Sequence, residues 1–486
     1  MRRNTLLWLL LAIVVSRLLT MAILPLTDTT EARYGEIARI MAESGDFITP
    51  WFDYGVPFWG KPPLSFWTEA IAFKVFGVSE FSVRLPSLLA TAATAYLLYI
   101  LILDLASRRQ ALIGAVIYAS MVLSYLMSGA VLTDPFLTLG TTLAFVAFIL
   151  ALRHPRSIWR WHFFVGLVIG LLAKGPLVLV LIGGPLFLWL LWRRRWRDLL
   201  SLPWFRGTLL TATLTLPWYI AAELKTPGFI DYFIVGEHFR RFLDSGWQGD
   251  LYGSAHQQPF GMIWLYWLVA TLPWGLLALY RLIRFRFVNG TFGFGDLDDW
   301  QRLLLLTALF PGLFFTVSGN ILWTYQLPAL GPLAILLALF LFPAAKSAAA
   351  ADSGANSSAT PLLWFNALLI PLLFTIAGCY LQFEPNKLKS EKSLVAYYQA
   401  HRDSTTPPLI YIAETPPFSG RYYSHGKAIA MSADELDKRI QQTPGLTYYC
   451  AVDRKALDEF MASQPGAGAI VFRNKRYDLI TVTFNQ

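Results

Sequence analysis

The sequence predicts an α-helical polytopic membrane protein with a small soluble α/β domain at its C-terminal end. Three observations predict it. Of 486 residues, 55% are hydrophobic, mean hydropathy is +0.48, and the apolar residues come in long runs. A bilayer core takes roughly 20 apolar residues per helix, which divides the chain into about eleven spans. Basic residues cluster in the short gaps between runs, as cytoplasmic loops require. From Leu381 onward charged residues return and apolar runs shrink to strand length.

Threaded from an inner N-terminus, the runs alternate in order. Leu6 to Leu26 crosses outward; with no small-residue cleavage signal, it is expected as a retained helix. The long segment 27–84 then lies outside as a juxtamembrane loop. Leu85 to Leu103 returns to Arg108 and Arg109. Leu112 to Met127 crosses out to a short turn bearing Asp134, and Phe136 to Leu152 returns to Arg153, Arg156 and Arg160. Phe163 to Ala173 reaches an outer turn at Lys174-Gly175-Pro176, and Leu177 to Trp192 comes back to the arginines at 193–195 and 197. Leu209 to Ala222 leads to a second large outer loop, Glu223 to Pro259. Met262 to Tyr280 returns to Arg281, Arg284 and Arg286. Leu303 to Val317, Ile321 to Phe342 and Leu362 to Cys379 complete the threading, with a turn at Ser318-Gly319-Asn320. The Ala- and Ser-rich 344–360 stretch is expected as an inner linker. The shortness of the Phe163 span leaves a re-entrant pair near Lys174 as the alternative. Asp296, Asp298 and Asp299 fall inside, a mild exception because acids count little in the charge rule. Arg240 and Arg241 fall outside, which needs another explanation, and a site is one.

Residues 1–380 thus form the membrane domain and 381–486 the outer α/β domain. Strands are expected at Leu409–Ile412, Thr447–Val452, Ala469–Phe472 and Leu479–Thr483. Ser432 with Glu435 is a capping box ahead of a helix through Ile440, and Asp453 to Ala462 reads as another helix. Two cysteines, Cys379 and Cys450, make no disulfide framework. The net charge of +9 is distributed among loops between spans and does not point to nucleic acid.

The outer segments collect the ionisable groups. The first brings Asp28, Glu31, Arg33, Tyr34, Glu36, Asp53 and Lys61; the second Asp134, backed by Pro135; the third Lys174. The fourth brings Glu237, His238, Arg240, Arg241, Asp244, Asp250 and His256; the fifth Asn320, with Tyr325 inside the next span. Taken singly, Asp53, Arg84 or Asp250 is explained equally well by an interfacial ion pair or a snorkelling chain. Glu31, Lys61 and Asp134 taken jointly, on one membrane face, point to a site. Arg17, inside the first span, is expected to pair with a neighbouring helix. A carboxylate can take a proton from an acceptor hydroxyl or amine. Lysine offers a phosphate a point charge and arginine a fork. Tryptophans 51, 59 and 67 suit a membrane boundary, a lipid tail or a sugar ring. These are parts for moving a group off a lipid-linked phosphate.

In order along the chain stand Glu31-Ala-Arg-Tyr-Gly-Glu-Ile-Ala38, Ser44-Gly-Asp46, Gly60-Lys-Pro-Pro63, Ala130-Val-Leu-Thr-Asp-Pro135, Ala173-Lys-Gly175, Glu237-His-Phe-Arg-Arg-Phe242 and Thr324-Tyr325. In this series the chain resembles the integral-membrane glycosyltransferases that include the protein O-mannosyltransferases and the 4-amino-4-deoxy-L-arabinose lipid A transferases, over roughly its first 340 residues. The resemblance implies a GT-C-like fold with juxtamembrane helices in the first outer loop, and an inverting transfer from a polyprenyl-phosphate sugar. It implies a first-loop catalytic carboxylate, a second functional acid at Asp134 and a phosphate-contacting lysine at Lys61. Two positions depart from the aminoarabinose transferases: Thr30 stands where they carry Asp, with Asp28 two places upstream, and Gly60 where they carry Glu.

The expected activity is therefore sugar transfer from an undecaprenyl-phosphate-like donor to a lipid or glycan acceptor, lipid A modification among the options, at the periplasmic face of a bacterial inner membrane. Glu31 leads as the base, with Asp28 and Asp134 behind it. Lys61, Arg33, Lys174 and Arg241 would hold the donor phosphate; Tyr34, Trp59, Tyr325 and Glu237 would line the substrate. A divalent ion on His238 and His256, with Glu237, is the one cofactor weighed. A protein hydroxyl is the alternative acceptor. A lipid or solute transporter, or a scaffold using the outer α/β domain, is the alternative of another class; a transporter would put charges near mid-membrane within a repeat.

Overall fold

The computed structural model describes residues 3–244, 246–253, 256–289, 297–343, 359–464 and 467–483. They form a multi-pass helical membrane protein with one end elaborated by polar segments and a five-stranded sheet domain.

The first helix, α1 (Arg3–Ile23), delivers the chain to this polar end. There lie α2 (Thr30–Ser44), the small hairpin β1 (Trp51–Asp53) and β2 (Val56–Pro57), and α3 (Leu64–Phe76). These are the juxtamembrane helices the resemblance implied. Gly45 ends α2 in the left-handed region at φ +71°, which glycine adopts without a Cβ penalty. α4 (Glu80–Leu105) starts on a capping box between Ser79 and Ser82 and runs the depth of the bundle.

The span expected over Leu112–Met127 is broken: α5 (Arg108–Ser120) and α6 (Val122–Met127) meet at an extended Met121. α7 (Asp134–Arg153), α8 (Trp159–Lys174) and α9 (Leu177–Arg193) follow as expected. α7 and α8 approach closely because glycines face each other. A Cβ on Gly140 would sit 2.6 Å from Gly170 N, and one on Gly166 2.5 Å from Ala144 N. α10 (Trp204–Lys225) leads into the second outer loop, where residues 231–240 wind as a π-helix and Arg241–Leu243 add a short turn, α11.

The single span expected over Met262–Tyr280 is corrected. α12 (Met262–Ala270) and α13 (Trp274–Asn289) are bent by 99° at a short break. Pro273 sits in that break and has no N–H for a helical bond; the Leu272 carbonyl instead accepts from Val122 N of α6. α14 (Asp299–Phe315) begins on an Asp298–Gln301 capping box. Tyr325 lies, as expected, inside the following span, Trp323–Leu341, in the 3-10 turn Trp323–Gln326 that leads into α15 (Leu327–Leu341). The last long apolar helix, Ala359–Phe383, runs a turn past the expected boundary at 380. Among the described residues five helices are long and apolar enough to cross a membrane, or six counting the bent pair as one; the remaining expected spans are shorter or more polar. Asp296 and most of the linker lie outside the described residues.

The sheet has order β4-β3-β5-β7-β6, with β3 (Ile410–Ile412) parallel to β4 (Ile429–Met431) and β5 (Thr447–Asp453). β7 (Tyr477–Thr483) is antiparallel to β5 and β6 (Ala467–Arg473). The four expected strands are present and β4 is additional. Ser432 and Glu435 cap the helix Ala433–Gln442 as expected. The helix expected from Asp453 starts later, at Leu457. Cys379 and Cys450 are free.

This domain is pinned to the membrane part by polar contacts. The Asp28 carboxylate accepts from Ser419 Oγ at 2.5 Å and Ser419 N at 3.0 Å. Glu80 pairs with Lys392 at 2.5 Å, and Asp53 with Arg421 at 2.9 Å. Tyr422 inserts into the apolar cluster of α2 and α3.

Candidate active site

The polar end gathers two adjoining charge clusters. The first rests on the α7–α8 contact. Asp134 begins α7 and Lys174 lies in the last turn of α8, so the antiparallel pair brings them together: Lys174 Nζ donates to Asp134 Oδ1 at 2.7 Å, both side chains about nine-tenths buried. Each charge sits at the helix end whose dipole favours it. Lys174 Nζ also lies 4.8 Å from the Tyr325 ring centroid. Asp134 Oδ2 makes no hydrogen bond among the described residues.

The second cluster is built by the π-helix against the Pro57–Lys61 segment. Glu237 accepts from Lys61 Nζ at 3.0 Å and from Arg241 Nη1 at 2.9 Å, and Arg241 also reaches Asp250 at 3.3 Å. Burial works against ionising Glu237, but the two cations outweigh it and hold its carboxyl at about 2. Arg241, though itself largely buried, is held well above its usual value, the Glu237 charge overriding the burial. Asn320 fixes the turn by donating to the carbonyls of Arg241 and Asp244 at 2.8 and 2.7 Å. Tyr252 ties the loop to the first outer segment: its hydroxyl donates to Pro57 O at 2.8 Å and accepts from Trp59 N at 3.0 Å, while its carbonyl accepts from Arg33. Arg33 stands over Tyr34 and Phe58 at 5.5 and 5.9 Å, and Trp59 donates to Thr226. His238 joins the two clusters, its Nε2 lying 3.1 Å from Lys174 O.

Glu31, Asp28 and the two histidines stand differently from the residues of the two clusters. Both oxygens of Glu31 are taken by Arg84, at 2.8 and 2.9 Å, and Arg84 donates as well to the carbonyls of Met21, Leu24 and Pro25. This clasp joins α1, α2 and α4. Both oxygens of Asp28 are taken by Ser419. The metal set does not assemble: among the described residues no three His, Cys, Asp or Glu side chains group as ligands. Both ring nitrogens of His238 face carbonyls, those of Phe233 and Lys174, and burial lowers its pKa despite them. His256 is half-exposed, with burial and then the Arg241 charge lowering its pKa. A side chain on Gly60 would meet Phe58 at 2.8 Å, so a carboxylate there would displace that ring. Asp250, Tyr252 and Asn320 carry more of the site than their sequence context suggested; two aromatic-flanked acids in one outer loop were the available signal.

An apolar bundle whose polar end holds juxtamembrane helices, a paired-charge site and a sheet domain is the architecture of GT-C-type membrane glycosyltransferases. Over its whole length the fold superposes on the crystal structure of ArnT from Cupriavidus metallidurans bound to undecaprenyl phosphate, with TM-score 0.78, 16% identity and 100% of each chain covered. The apo state of the same protein gives 0.77, at 99% of each chain. The sequence model of the dolichyl-phosphate-mannose-protein mannosyltransferase family matches residues 6–233. An undecaprenyl phosphate-alpha-4-amino-4-deoxy-L-arabinose arabinosyl transferase of Shewanella sediminis is 33% identical over 329 residues, 66% of this chain and 57% of that one. Its namesake in Yersinia pestis is 31% identical over 382 residues, 76% and 62%. The resemblance read from the motifs is thereby borne out in sequence and fold. The chain spans a little over half the length of the curated relatives it matches.

Proposed function

We propose that this protein transfers a sugar from a polyprenyl phosphate of the undecaprenyl kind to a lipid acceptor, with inversion, at the periplasmic face of the inner membrane, where the sheet domain also lies. The observation that carries this is the junction of the two charge clusters at the end of an apolar bundle. A polyprenyl tail dissolves among the helices while its phosphate reaches Lys61 and Arg241. Those cations already hold two carboxylates, so an incoming phosphate exchanges one set of charge-assisted hydrogen bonds for another and no cation is left unpaired in either state.

Of the weighed acids, Asp134 is the one with an oxygen that no described residue hydrogen-bonds, and it replaces Glu31 as the leading base. Lys174 holds its other oxygen and orients the carboxylate. As the glycosidic bond breaks, negative charge grows on the departing phosphate, where Lys61 and Arg241 stabilise it. The named substrates of the relatives support an aminoarabinose-type donor and lipid A as acceptor. Charges gathered at one end, with the arginine clusters at the other, favour this over a transporter. The deciding experiment assays transfer on extracted lipids with Asp134→Asn and Glu31→Gln. Asp134→Asn lowers the rate by about 10²–10⁴ in protein that stays folded; Glu31→Gln lowers stability and leaves the rate within about tenfold. The reverse pattern would return the role to Glu31.

A further inference from the structure

A cavity of about 420 Å³ lies between α1, α4 and α5, away from the charge clusters. Along α1 it is lined by Arg3, Leu7, Leu10, Val14 and Arg17, one stripe at helical spacing, about 21 Å long at 1.5 Å per residue. Small residues on the facing helices, Ala92 and Ala95 of α4 and Ala115 and Ala119 of α5, open the space. Ala92 and Tyr96 are exposed, so the groove opens sideways to lipid.

Its two ends differ. At the upper end the Arg17 guanidinium is engaged, donating to Leu126 O at 2.6 Å between the rings of Tyr125 and Phe374, 5.4 and 5.1 Å away. Arg17, Tyr125 and Ser128 close this end. At the lower end stand Arg3 and Arg108, exposed and without a carboxylate partner among the described residues. Asp104, the acid nearest Arg108 in sequence, is held by Arg153 and His154. α4 places this end on the far side from the active site: Arg84 near its start clasps Glu31, and its other end at Leu105 is about 30 Å away.

An apolar groove in a bilayer does not wet, so an alkyl chain fills it. Two unpaired arginines at its mouth select the head group, as basic pockets between membrane helices do. We propose that this groove binds one acyl chain of an anionic phospholipid from the leaflet opposite the active site, with the phosphodiester between Arg3 and Arg108. The site is separate from the transfer chemistry and stands whether or not that assignment holds.

Native mass spectrometry of the full-length protein, delipidated and reloaded with either phosphatidylglycerol or phosphatidylcholine, tests it. The protein retains one phosphatidylglycerol on the order of tenfold more strongly than phosphatidylcholine. Arg3→Gln with Arg108→Gln, both on the surface, abolishes the preference and leaves weak binding of either lipid. Ala92→Phe, which fills the groove from its exposed side, removes both adducts while thermal unfolding stays unchanged. Equal retention of the two lipids, an unaltered preference in the double variant, or displacement of phosphatidylglycerol by one equivalent of undecaprenyl phosphate would overturn the proposal.

Discussion

Replacing Glu237 by glutamine separates the two tasks of the second charge cluster. The carboxyl is 7% exposed and sits 3.0 Å from Lys61 and 2.9 Å from Arg241. Its fall from an ordinary 4.5 to about 2 corresponds to about 3 kcal/mol of folding stability at neutral pH. Because the folded value is the lower one, that stability is present above pH 4.5 and is lost as pH falls towards 2. Glutamine keeps the shape and removes the charge, so the variant unfolds more readily by about that amount at pH 7 and lacks the acid-side loss. The two cations, freed of their main counter-charge, then bind a phosphate more tightly. Titration of the purified variant with undecaprenyl phosphate, followed by tryptophan fluorescence because Trp59 adjoins Lys61 in sequence, reads the affinity; denaturant unfolding at pH 7 and pH 4 reads the stability. The variant binds the lipid phosphate more tightly, by about tenfold, and turns over more slowly because release is retarded. Unchanged stability together with unchanged or weaker lipid binding would refute the reasoning, since Glu237 would then be neither the counter-ion of the pair nor a competitor of the phosphate.

Two further predictions concern the frame. Glu391, buried at the junction of the sheet domain, is raised by that burial to about 7, the neighbouring Asp28 charge adding to the rise and the Asn474 hydrogen bond opposing it. Its contribution is intact below pH 4.5 and is lost as pH rises through 7, a change of about 3 kcal/mol, so the resistance of the sheet domain to denaturant falls from pH 5 to 7.5, and that fall disappears in Glu391→Gln. Gly166→Leu forces α7 and α8 apart, because even a Cβ there meets Gly140 O at 2.6 Å; it costs about 1–3 kcal/mol or more and abolishes transfer by separating Asp134 from Lys174, whereas a larger residue at Gly183, which has nothing within 4 Å of its Cβ position, leaves both unaffected.

Much of the fold was legible because a bilayer enforces long apolar runs and the arginines mark one side. The α7 and Ala359–Phe383 helices were recognisable for that reason, and the sheet strands for their alternation and turn residues. The sharp bend between α12 and α13 was written in Pro273, but unbroken hydropathy on both sides masked it. The strand at Ile429–Met431 is three residues long and carries no periodic signal. The site's members were legible as a set, since their motifs occur in order, but their partners were not. The clasp of Glu31 by Arg84 spans 53 positions and that of Asp28 by Ser419 spans 391; no local pattern encodes either. The sequence ranked Glu31 first of the three acids; the tertiary hydrogen bonds that occupy both oxygens of Glu31 and of Asp28 are what lead us to propose Asp134 instead.

The most direct test is the transfer rate of purified, folded Lys61→Ala with a polyprenyl-phosphate sugar and extracted acceptor lipid. Loss of one phosphate-stabilising cation lowers turnover by about 10²–10³ with folding preserved, because Arg241 still pairs with Glu237. Near-normal turnover of that variant would contradict the assignment of this cluster to the departing phosphate.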